Sequence, residues 1–102
     1  MANGLEGTIT VNGGKVTAIG GDASVGSNTS GFSGINGTLT VNGGVVTATG
    51  GAGDGGADDG LGVDAVTIIT LGPGITFYEG DTPNPTSTGT PPYCTKRYVK
   101  IQ

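Results

Sequence analysis

Histidine and tryptophan are absent from this 102-residue chain, cysteine occurs once, and only four residues are basic. Each shortage removes a class of chemistry. Without histidine, neither Cys94 nor any serine has the imidazole base that activates a side-chain nucleophile, so no enzyme activity is expected. A single cysteine closes no internal disulfide; Cys94 is expected to be an incidental thiol, its alternative being an intermolecular bridge. The cations are Lys15, Lys96, Arg97 and Lys100, three of them within the last seven residues, against eight carboxylates and a net charge of −4. That is too little positive charge to neutralise a run of phosphates, and nucleic acid is excluded as a partner. No apolar run approaches the roughly 20 residues that cross a bilayer as a helix, so no membrane span is expected.

Other shortages narrow the fold. Charged residues make up 12% of the chain, too few for charge repulsion to hold it unfolded. The 23 glycines follow no G-X-Y period, which excludes collagen, and they would break any helix they interrupted. What remains is a β-rich chain with many tight turns. Met1-Ala2-Asn3-Gly4 leads straight into the patterned region with no charged start or apolar stretch, and the chain is expected to be a piece of a longer protein.

What is present is repetition. Gly7 to Gly21 reads GTITVNGGKVTAIGG and Gly37 to Gly51 reads GTLTVNGGVVTATGG, differing only at Ile9/Leu39, Lys15/Val45 and Ile19/Thr49. A third, worn copy, TIITLGPGITFYEG, spans Thr67 to Gly80 and aligns at an offset of 29 through Val46-Thr47 and Ile75-Thr76. Each copy holds two stretches that alternate with period two, the signature of a strand with one buried face. Ile9 and Val11 share one face, as do Val16 and Ala18; threonines 8, 10 and 17, with Lys15 and Ile19, take the other. Phe32, Ile35, Leu61 and Val63 in the connectors suggest a further short inward-facing rung.

Asn-Gly-Gly between the strands has two readings. It is a strong hairpin signal, because both residue types tolerate positive φ, and it equally suits the corner of a coil whose rungs stack one repeat apart. The near-constant repeat length favours the coil. The expected fold is therefore all-β: a short right-handed parallel β-solenoid with a C-terminal cap, the alternative being an antiparallel hairpin sheet or sandwich. Residues 1–80 would form the repeats. Residues 81–102 would form a proline-rich loop and a capping strand, with the tyrosines covering the end of the stack.

GTITVNGGKVTAIGG and GTLTVNGGVVTATGG resemble the glycine-rich TINGGxVTAxGG repeats of bacterial extracellular and cell-surface proteins. The ending GITFYEGD…YVKIQ is similar to the segment that closes such arrays, so the likeness covers most of residues 4–102. The resemblance implies a right-handed parallel β-helix serving as a surface stalk, an adhesin or a glycan-contacting module. Its expected location is extracellular or at the cell surface. Its expected partners are neighbouring repeats of a longer chain or glycans, and, because a stack of three rungs leaves unpaired backbone edges, other copies of itself joined end to end into a filament.

Three candidate sites stand out. Residues 59–67 match the calcium-binding nonapeptide G-G-x-G-x-D-x-U-x except at its first position. Asp64 would be the hard oxygen ligand, with Asp59 and Asp54 nearby; a solvated acidic loop is the plainer alternative. Tyr78, Tyr93 and Tyr98, with polar neighbours, are the candidates for carbohydrate contact. Threonine pairs 8/10 and 38/40 would stack as T-x-T ladders of the kind that order water against ice, although Thr67 and Ile69 would break the ladder in the third copy. Glu6, Asp22, Glu79 and Asp81 are scattered and form no catalytic carboxylate pair.

Overall fold

A computed structural model describes residues 2–64, 67–89 and 96–102, and among these the chain is all-β with no helix. The strands are β1 (Leu5–Val11), β2 (Lys15–Ile19), β3 (Ile35–Val41), β4 (Val45–Thr49), β5 (Ile68–Leu71), β6 (Phe77–Gly80), β7 (Ser87–Thr88) and β8 (Tyr98–Ile101). They form a three-stranded sheet, β1-β3-β5, and a five-stranded sheet, β2-β4-β8-β6-β7.

The first sheet is wholly parallel. Leu5 lies opposite Ile35 and Val11 opposite Val41, and Thr38 lies opposite Ile68. Each residue thus faces the one thirty positions later. β2 pairs with β4 in the same way, Lys15 opposite Val45 and Ala18 opposite Ala48. Parallel neighbours need a long crossover rather than a tight hairpin, which residues 20–34 and 50–64 supply. The corners repeat too: Gly14, Gly44 and Gly74 have φ of +75, +80 and +79, a region in which a Cβ is strained. The Asn42 side-chain amide donates to Asn12 Oδ1 at 2.9 Å, linking one corner to the next.

The five-stranded sheet departs from a wholly parallel coil. β8 pairs antiparallel with β4, β6 antiparallel with β8, and β7 antiparallel with β6. The physical reason is a slip of one residue. The third copy keeps the thirty-residue offset through β5 and its corner, not the offset of 29 expected for the whole copy. Continued at thirty, it would set Thr76 and Tyr78 in the core places of Val46 and Ala48. A shift of one residue turns every side chain of a strand to the opposite face, so β6 cannot stack on β4 with its apolar residues inward. β8 fills the place instead, with Ile101 opposite Val46 and Val99 opposite Ala48. Beyond it β6 brings Phe77 opposite Ile101.

The core lies between the two sheets. Val11, Leu39 and Val41 enter from one side; Ala18, Val46, Ala48, Phe77, Val99 and Ile101 enter from the other. Ile35 and Val63, joined by a parallel bridge, close the third side. Phe32 does not belong to that rung: it is 37% exposed. Nor do Tyr78 and Tyr98 cap the core: among the described residues the buried aromatic is Phe77, while these two are half-buried on the outer face. Tyr93 and Cys94 lie outside the described residues.

One wall is built almost without side chains. Gly21 N–H donates to Ala2 O, Phe32 N–H to Gly21 O, Gly51 N–H to Phe32 O and Gly60 N–H to Gly51 O, at 2.8 to 3.0 Å. These segments approach backbone to backbone. A Cβ on Gly51 would collide with the carbonyl of Gly21, and one on Gly31 with the carbonyl of Gly51.

Candidate functional site

Alternation along β8 and β6 buries Phe77, Val99 and Ile101, so Tyr98, Lys100 and Tyr78 face outward. Pairing then sets Lys100 between Thr47 of β4 and Tyr78 of β6. Tyr98 lies opposite Thr49 on one side and Gly80 on the other. Tyr78 and Tyr98 are therefore diagonal neighbours on one face, within reach of a shared ligand.

Two shallow depressions adjoin on this face. One, of about 270 Å³, is lined by Tyr78, Asn84, Pro85, Thr86, Lys100 and Gln102. The other, of about 310 Å³, is lined by Lys15, Val45, Thr47, Pro83, Asn84, Lys100 and Gln102. Asn84, Lys100 and Gln102 are common to both, so they form one groove. Among the described residues no aspartate or glutamate lines either part.

The opposite holds across residues 84–86. These line a third depression of about 550 Å³ together with Glu79, Asp81 and Lys96. A fourth, of about 380 Å³, is lined by Asp58, Asp59, Asp81 and Arg97 among others. Here cations and carboxylates pair: Lys96 Nζ lies 3.5 Å from Asp81 Oδ2, and Arg97 Nη1 lies 3.3 Å from Asp59 Oδ2. Arg97 Nε also donates to Gly50 O at 2.9 Å, and its guanidinium sits 5.4 Å from the Tyr98 ring centroid. Arg97 is thus a tie between the C-terminal strand and the glycine wall.

The three aspartates considered for calcium are engaged separately. Asp54 Oδ2 accepts from Asn28 N–H at 3.0 Å, Asp59 Oδ1 from Gly53 N–H at 2.9 Å, and Asp64 Oδ2 from the Ser33 hydroxyl at 3.3 Å. Among the described residues no three His, Cys, Asp or Glu side chains converge as metal ligands would; Ala65 and Val66 of the nonapeptide lie outside that set. The threonine ladders also differ from expectation. Thr40 faces Thr70 and Thr38 faces Ile68, so the 10/40/70 ladder is three deep, and Thr67, which was expected opposite Thr38, is buried with its hydroxyl toward Ile35 O.

Sequence reasoning singled out Tyr78 and Tyr98, of which Tyr78 lines the groove, and did not single out Lys15, Asn84, Lys100 and Gln102 beside it. The outward phase of Lys100 was visible in the alternation of Tyr98-Val99-Lys100-Ile101. Its meeting with Lys15 depends on β8 docking against β4, for which the sequence carries no spacing signal. No family model matches the chain, and neither a curated protein nor a solved structure matches it.

Proposed function

We propose that the chain is a structural module of an extracellular or cell-surface protein: a short β-solenoid whose rungs stack on further rungs, of the same chain or of a second copy. The observation behind this proposal is the pair of thirty-residue parallel ladders, each ending on an edge strand, β1 in one sheet and β2 in the other. An edge strand presents a row of main-chain donors and acceptors ready to pair. The other end offers less, a four-residue edge in β5 and a two-residue edge in β7. Joining of copies is therefore expected at the β1/β2 end, where both ladders extend together, and two copies meeting there form a closed pair.

The test follows from the direction of the edge groups. Leu5 N–H donates to Gly34 O and Val11 O accepts from Asn42 N–H, so the odd residues of β1 point inward and Thr10 N–H points off the edge. Gly20 N–H donates to Thr49 O and Gly14 O accepts from Val45 N–H, which turns Thr17 N–H outward likewise. Proline is tolerated at such positions and blocks pairing. Sedimentation of the wild type at rising concentration should show association, abolished in Thr10→Pro/Thr17→Pro without loss of the folded signal. A wild type that stays monomeric throughout would overturn association between copies. Filaments in electron micrographs would instead show that the β5 end accepts a copy too.

A second function, carbohydrate binding, is supported by the diagonal placement of Tyr78 and Tyr98 on the outer face of the five-stranded sheet. Aromatic rings with polar tips suit the mixed apolar and hydroxylated surface of a sugar.

A further inference from the structure

We infer that the groove beside Tyr78 takes a carboxylated saccharide, held through its acid groups by Lys100 and Lys15; this rests on the carbohydrate reading of the same face. The chain carries a net charge of −4, yet its four cations divide sharply. Lys96 and Arg97 pair with Asp81 and Asp59. Among the described residues Lys15 and Lys100 pair with no carboxylate, and both line the groove from which aspartate and glutamate are missing. An unpaired ammonium is a point charge with three rotatable donors, and two of them on one surface fit a ligand with spaced negative charges.

Lys15 by itself carries less weight, since lysine is ordinarily found exposed at the surface, and β2 is the rim of its sheet. Lys100 carries more. β8 is an inner strand, between β4 and β6, so its lysine is not placed by the rim of the sheet. Along the strand pairs it lies between a hydroxyl, Thr47, and an aromatic ring, Tyr78.

The other lining groups choose the ligand class. Asn84 and Gln102 each offer donors and an acceptor on one amide, which matches vicinal hydroxyls. Tyr78 supplies a ring on which the apolar face of a pyranose can rest. Two cations are too few for a polyphosphate. An acidic peptide would use the lysines but leave the paired amides and the ring without a reason.

Binding of an oligomer of galacturonic acid to the intact chain, measured by calorimetry, tests this against a neutral galactose oligomer of equal length and an oligoglutamate peptide. The uronic acid oligomer should bind, more weakly as salt screens the charges. Lys100→Gln should lower its affinity about tenfold, the loss expected when one charge-assisted contact is removed, Lys15→Gln less, and Lys96→Gln not at all. Equal binding of the neutral oligomer, unaffected by Lys100→Gln, would overturn the acidic ligand and leave carbohydrate binding standing. No binding of either sugar would remove both. Oligoglutamate binding as tightly as the uronic acid oligomer would overturn the saccharide.

Discussion

Residues 7–21 and 37–51 are nearly the same sequence, yet they live in different surroundings. Leu39 and Val46 are fully buried, whereas their counterparts Ile9 and Val16 are only half-buried. Ile19 is 64% exposed at the edge, where the second copy has Thr49. The glycines differ likewise. A Cβ on Gly13 meets nothing within 4 Å, while one on Gly43 lies 2.9 Å from Asn12 O. Equivalent residues form equivalent strands in both copies, but only the second copy has a neighbouring strand on either side in both sheets. Local sequence decides the shape of a rung, and stacking decides how much each residue contributes to stability.

That contrast can be broken by matched substitutions, measured by urea denaturation. The largest difference is expected between Leu39→Ala and Ile9→Ala. The first removes a buried side chain from the centre and should cost about 2–5 kcal/mol. The second removes a half-buried one at the edge and should cost roughly 1 kcal/mol, because only part of its surface leaves water on folding. Equal losses would mean that the first rung is covered in solution, as it would be in an associated form.

Gly43→Ala and Gly13→Ala come next. Forcing a methyl against Asn12 O should cost about 1–3 kcal/mol, as overpacking does. The same change in the open corner should stay within about 0.5 kcal/mol of neutral. The smallest effect belongs to the bond between corners. Removing Asn12 and Asn42 singly and together to alanine should give a coupling near 0.5 kcal/mol, the low end for a hydrogen bond in contact with water. A coupling of zero would show that the amides prefer solvent.

Much of the fold was legible because strands write their faces into the chain. Alternation separated Val46 and Ala48 from Thr47 and Thr49, and the thirty-residue spacing of two faithful copies matches the register of both parallel ladders. The third copy was harder, since a single missing residue after Gly74 changes the phase of everything that follows. Aligning it as a whole averaged two offsets and hid the slip that expels β6 from the stack. The docking of β8 was illegible for a different reason. An antiparallel strand reached through a long proline-containing segment has no fixed distance to its partner, so no periodicity reports it. The candidate groove depends on that docking, which is why Tyr78 was singled out from the sequence and the groove's lysines were not.

The glycine wall bears on how variation in this chain is to be interpreted. At Gly51 or Gly31 the largest tolerated substituent is a hydrogen atom, since the adjoining main chain already occupies the space a methyl would need. Drift at such positions is arrested whatever the protein binds. An invariant glycine in this wall would record steric exclusion, whereas retention of Lys100 on the open face, where alanine would fit as well, would record selection for a ligand.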